Sequence, residues 1–175
     1  MKDVALTREE IIEAVKAVRG GTITRVTYKT EVPIKAEYKR QGYKLVKIVE
    51  TTARIGVNYG HLPSVMARNE ESNNESTQRT NNFEWIVKDR ICHNTKTDKD
   101  YVALVSFNKG HHTKVKYILD GTLVGAIDMG DEIDRFYRHI VLDSYFKKST
   151  NPSEFRRVAF DNIIRINNVG TKLFF

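Results

Sequence analysis

Between Thr22 and Gly60, eight cationic side chains (Arg25, Lys29, Lys35, Lys39, Arg40, Lys44, Lys47 and Arg54) stand against three carboxylates, Glu31, Glu37 and Glu50. An excess of this size attracts phosphate polyanions and loses its hold as salt screens it. Tyr28, Tyr38, Tyr43 and Tyr59 are interleaved with the cations, and a base stacked on such a ring gains ~1–3 kcal/mol. Tyr28 and Tyr43 therefore join the eight cations as candidate nucleic-acid-binding residues. The same alternation also arises in any half-buried sheet that turns tyrosines inward and lysines outward.

A second basic cluster runs from Lys109 to Lys116, KGHHTKVK. Its glycine-containing turn and the cations Lys109, Lys114 and Lys116 suit a phosphate through backbone amides and charge together. His111 and His112 are adjacent, so on a strand they point to opposite faces and do not converge on one metal. Cys92 and His93 diverge for the same reason, which argues against a thiol–imidazole pair and for a buried cysteine. Asp128, Asp131, Glu132 and Asp134 lack the spacing of a calcium loop and read instead as acids at a helix start. The glycines form neither GxGxxG nor a Walker A loop, so nucleotide-dependent chemistry has no support.

The elements that must position these residues follow from periodicity. Thr7 and Glu10 form a capping box, Ile11, Ile12, Val15 and Val18 recur at helical spacing, and Gly20-Gly21 ends the helix. From Thr22 the period becomes two, placing Thr24, Val26 and Tyr28 on one face and Arg25, Thr27 and Lys29 on the other. Further strands are expected over Val32 to Tyr38, Tyr43 to Glu50 and Arg54 to Tyr59, making a small meander. Residues 67–82 hold one alanine among polar side chains and read as an exposed, mobile loop.

Beyond that loop, Phe83 to His93 and Tyr101 to Phe107 alternate around the turn-forming stretch 94–98, predicting a hairpin. Thr113 to Leu119 and Thr122 to Val124 flank Asp120-Gly121, the strongest turn signal in the chain. Ile133, Phe136, Tyr137, Ile140 and Val141 predict a helix near 131–148 that ends at Lys147-Lys148. Arg156 to Ile166 reads as a last strand with one polar interruption at Asn162.

Composition bounds the rest. The 175 residues carry 29 Lys and Arg against 22 Asp and Glu, a net charge of +7, with a pI near 9.4. A single cysteine makes no internal disulfide, and no apolar run approaches the ~18 residues of a membrane span, so a reducing cytoplasm is expected. The expected architecture is α+β and mainly antiparallel β-sheet, arranged as two small sheets or a β-barrel-like meander, with an N-terminal helix and a helix near 131–148. Its expected divisions are residues 1–66, the polar loop 67–82, and 83–175, the last separate from or continuous with the first.

The leading functional expectation is a small non-enzymatic nucleic-acid-binding protein of low sequence specificity, with single-stranded DNA or RNA slightly preferred because of the tyrosines. Its partner would be nucleic acid or a nucleoprotein complex, with no cofactor, metal or membrane, and self-association left open. The alternative is a phage- or plasmid-type inhibitor or accessory factor that contacts a nucleic-acid enzyme, with Trp85, Phe83 or Phe174-Phe175 as apolar anchors. A third reading rests on His111 or His112, the Asp120-Gly121 hairpin and His139 in the following helix. That β-β-α order loosely resembles the metal-dependent HNH nucleases, although the central Asn and flanking Cys pairs of that family are missing.

Overall fold

The computed structural model describes residues 6–19, 22–55, 85–106, 111–128, 134–143 and 154–170. Helix α1 (Arg8–Ala17) opens on a complete capping box. The Glu10 amide donates to the Thr7 hydroxyl at 3.1 Å, and the Thr7 amide donates to the Glu10 carboxylate at 3.0 Å. Two orphan amides are thereby satisfied, fixing where the helix begins. Ile11 and Val15, four residues apart and thus on one face, are both completely buried.

The sheet is organised by its second strand. β1 (Thr24–Val32) runs antiparallel to β2 (Tyr43–Ile55) along its whole length. A strand has two edges, and the free edge of β2 is divided: Tyr43 to Glu50 pair with β6 (His111–Leu119), and Ala53 to Ile55 pair with β5 (Lys99–Ser106). β5 divides its own edge in the same way between β2 and β4 (Ile91–Asn94), leaving the opposite edge to β8 (Glu154–Ala159). β3 (Trp85–Lys88) extends β4, and β7 (Thr122–Asp128) extends β6. β9 (Ile163–Ile166) lies beside β1 and carries the short β10 (Val169–Gly170). All these pairings are antiparallel. Strands from both sides of residues 67–82 thus share one ten-stranded sheet, curled as a half-barrel.

The two faces of this sheet differ. Val26 and Tyr28 of β1, Val49, Ala53 and Ile55 of β2, Val102 and Leu104 of β5, and Ile163 and Ile166 of β9 bury against Ile11, Ala14 and Val15 of α1. At the other end of the same face, Val32, Leu45, Val115 and Tyr117 bury against Tyr137 and Ile140 of α3 (Arg135–Ile140). Tyr38 of α2 (Ala36–Arg40) packs against that second cluster. The three described α-helices therefore cover one face, the inner one, and no described helix covers the outer one.

Several expectations are corrected. The strand expected over Val32 to Tyr38 ends at Val32, and α2 follows it. Pro33 has no amide to donate to a ladder, and Ala36, Glu37, Lys39 and Arg40 are helix formers. The run Phe83 to His93 is not one strand: Asp89 and Arg90, with φ of 52° and 67°, turn β3 back into β4. Positive φ at both central residues suits the twist of a two-residue hairpin, and the Arg90 guanidinium is anchored on the Val15 carbonyl of α1.

The helix expected near 131–148 is described only from Arg135 to Ile140. Val141 is extended and bridges Ile34, ending the helix one residue after Ile140. Arg156 to Ile166 divides at a 3-10 turn, Phe160–Asn162, into β8 on β5 and β9 on β1. Of the expected turns, Asp120-Gly121 connects β6 to β7 as read from the sequence, with φ of 49° and 81°. Gly42 meets this hairpin end-on: it has φ of 98°, and an added Cβ would lie 2.0 Å from an Asp120 carboxylate oxygen. Gly20-Gly21, Arg54 to Tyr59 beyond Ile55, residues 67–82 and Lys147-Lys148 fall outside the described residues.

Candidate nucleic-acid interface

Directly opposed residues in antiparallel strands share a face, so the registers assign the described side chains to one face or the other. One outer row crosses four strands as Lys29, Ile48, Lys114 and Asp128. The next row is Glu31, Val46, Lys116 and Ala126. In the other direction come Arg165, Thr27 and Glu50, then Arg25 with Thr52. Arg54 faces Val105 across β2 and β5, Arg157 faces Ala103 across β5 and β8, and Lys99 shares the side of Asn94 and Trp85.

Among the described strands the outer face thus gathers nine cations, with Lys44 as the ninth, against three carboxylates, Glu31, Glu50 and Asp128. Lys44 pairs with Glu31 at 3.8 Å, and Lys114 with Asp128 at 3.5 Å. No described carboxylate pairs with Arg25, Lys29, Lys99 or Arg165. Lys116 is only 4% exposed, so it adds to the field of the face without offering a contact. Ile48, between Lys29 and Lys114 in its row, is also buried, as suits lysine stems lying along apolar surface.

The residues singled out from the sequence divide accordingly. Arg25, Lys29, Lys44, Arg54, Lys114 and Lys116 lie on this face. Lys47 alternates onto the inner face beside Thr30 and Val115. Lys35, Lys39 and Arg40 belong to the N-cap and last turn of α2, off the sheet plane. Lys109 and the side chains of His111 and His112 lie outside the described residues.

Tyr28, Tyr38 and Tyr43 are placed inward, and Tyr59 lies outside the described residues. Tyr28 is 6% exposed and packs in the first core cluster. Tyr43 and Tyr38 meet Phe136 edge-to-face at 5.6 and 6.1 Å, and Tyr38 also contacts His139 at 5.6 Å. Tyr117 lies 5.5 Å from Phe136, and burial, with the nearby Asp134 carboxylate second, raises its hydroxyl well above the ordinary tyrosine range. These rings hold α2 and α3 to the sheet.

Aromatic surface on the outer face comes from elsewhere. The Trp85 ring meets Tyr101 at 5.1 Å in an edge arrangement, and the Arg157 guanidinium lies 4.3 Å from the Trp85 ring centre. All three side chains are half-buried, and the two rings pack over the buried trio Val87, Cys92 and Ala103. Cys92 is completely buried on this side while His93 projects to the other, as adjacent strand residues must.

His93 instead belongs to a charged chain on the inner side. Its Nδ1 lies 3.0 Å from Asp100 and its Nε2 3.1 Å from Asp98, while Arg8 Nε donates to Asp100 at 2.8 Å. Arg8, His93 and Asp100, with Ile12, Lys16, Ile86 and Lys88, line an open groove of about 410 Å³ between α1 and the β3–β4 hairpin. Both imidazole nitrogens are engaged by carboxylates, so the ring ties Asp98 and Asp100 together within the β4–β5 hairpin, and Arg8 on Asp100 fastens that hairpin to α1. Partial burial works to raise the Asp100 carboxyl, but Arg8 and His93 together outweigh it and hold it below the ordinary value of 3.8.

A depressed folded-state pKa adds stability above the unfolded pKa and loses it as pH falls through the folded value. Denaturant melts of Asp100→Asn against the parent chain are therefore expected to differ by a constant amount above about pH 5. That difference should shrink as pH drops below 3.8. A pH-independent difference would mean that Asp100 acts by packing alone.

No described helix is long and apolar enough to cross a membrane. Among the described residues no group of three His, Cys, Asp or Glu side chains could hold a metal ion. Comparison of the chain with protein families, curated proteins and solved structures finds no match.

Proposed function

We propose that the protein binds nucleic acid through the outer face of its curled sheet, contacting the phosphate backbone with little dependence on sequence. The observation that carries this reading is the register: nine cations and three carboxylates fall on the one sheet face that no described helix covers. Arg25, Lys29, Lys99 and Arg165 are the primary phosphate contacts, and Arg54, Lys44 and Lys114 complete the field. Because the contacts are to backbone charge, affinity arises mainly from counterion release. The single, buried Cys92 suits a reducing cytoplasm.

The test is a salt titration with a labelled 30-nucleotide oligonucleotide of mixed sequence. With four contacts the slope of log K against log salt is expected near −3, at about 0.7 per phosphate on a single strand. A slope near zero, or no binding at 50 mM salt, would overturn the proposal. Pull-down of a protein partner that persists after nuclease treatment would favour the accessory-factor reading instead.

A further inference from the structure

Resting on that reading, the geometry points to single-stranded nucleic acid as the substrate class, with Trp85 and Arg157 as the platform on which a base stacks. Of the tyrosines that first suggested a single strand, the three among the described residues are turned to the inner face, Tyr28 beneath α1 and Tyr38 and Tyr43 against Phe136. What remains beside the cations is a different set of planar groups: Trp85, Tyr101 at 5.1 Å and the Arg157 guanidinium at 4.3 Å. Duplex DNA hides its base faces inside the stack and offers only edges and phosphates. An unpaired base presents both faces, and indole rings and guanidinium planes are the groups on which such bases settle.

The position of the set is as important as its chemistry. Arg157 stands opposite Ala103, and Arg54 opposite Val105, on the same face of adjoining strands. Two strand spacings and two residues of rise separate Arg54 from Arg157 by ~12 Å. Beyond Arg54 lie Arg25 and Lys29 on β1, and Lys99 flanks the other side on the row of Trp85. A strand whose phosphates track these cations has its bases beside the ring pair. Trp85 is packed by Tyr101 and Arg157 before any ligand arrives, so little side-chain entropy is lost on stacking.

The chain has one tryptophan, so its intrinsic emission reports this position alone. Titration with a 20-nucleotide thymidine strand, the corresponding uridine strand and a 20-base-pair duplex should quench and shift the emission with either single strand, and leave it nearly unchanged with duplex. Trp85→Ala should weaken single-strand binding about 5- to 150-fold, the effect of losing one stacked base, while duplex affinity stays within about 3-fold. Trp85→Phe should restore most of the loss. Arg157→Lys keeps the charge and removes the plane, and serves where Trp85→Ala fails to fold by circular dichroism. It should lower single-strand affinity selectively.

Unequal responses to the thymidine and uridine strands would distinguish a DNA from an RNA substrate. If both strands bind with unchanged emission, or if these variants weaken single strand and duplex equally, the stacking inference fails and the charge-based reading stands. If no nucleic acid binds at all, both fail.

Discussion

Reversal of Arg25, Lys29 and Lys99 to glutamate is expected to weaken oligonucleotide binding on the order of 100-fold at physiological salt, with ~1 kcal/mol or more lost per phosphate contact. The slope of log K against log salt should flatten by about 2, three contacts at about 0.7 each. These side chains are chosen because no described carboxylate pairs with them and because they span the face from β1 to β5. Reversal of Lys35, Lys39 and Arg40 changes the net charge by the same amount. Those residues sit on α2, off the sheet plane, and screening over ~8 Å leaves them little influence on the outer face. Their reversal should weaken binding by less than about 5-fold. Equal losses in the two triple variants would mean that net charge alone, and not the face, governs binding.

Ile11→Ala is expected to destabilise the chain by about 2–5 kcal/mol, measured by denaturant unfolding. Ile11 is completely buried between α1 and the inner face, touching the same cluster as Val26, Val49 and Ile166. The removed methylenes lose their transfer free energy, and the rigid surrounding strands leave a cavity that α1 cannot collapse into. Since domains are stable by only ~5–15 kcal/mol, a loss of this size separates a folded from a partly unfolded sample near 40 °C. A change under about 0.5 kcal/mol would show that α1 contributes little to holding the half-barrel.

Local signals in the sequence carried the local structure. The Thr7 and Glu10 pair located α1, and Asp120-Gly121 located the β6–β7 turn, because both are short-range hydrogen-bonding and φ requirements that nearby residues satisfy alone. The Asp89-Arg90 turn escaped because arginine rarely occupies left-handed backbone; its anchor, the Val15 carbonyl, is 75 residues away. α2 escaped because its apolar content is Tyr38 and little else, so propensity spoke where periodicity was silent.

For the site, alternation along β1 correctly set Arg25 and Lys29 together, but it could not say which strands lie beside β1. Lys114 adjoins Ile48, and Arg165 adjoins Thr27, only through register, a property of long-range pairing. Arg157 reaches Trp85 across the same kind of pairing, from 72 residues along the chain. Tyrosine spacing suggested exposed rings because a period of two does not tell which face the helices will cover.

Whether the outer face is the binding surface is read from an amide chemical-shift titration of the isotope-labelled chain with a 20-nucleotide single strand. Binding through the outer face places the largest shifts on its strands, at Arg25, Lys29, Arg54, Lys99 and Arg157, together with the Trp85 indole N–H. Shifts concentrated on α2, or around Arg8 and Lys16 in the groove beside α1, would contradict it.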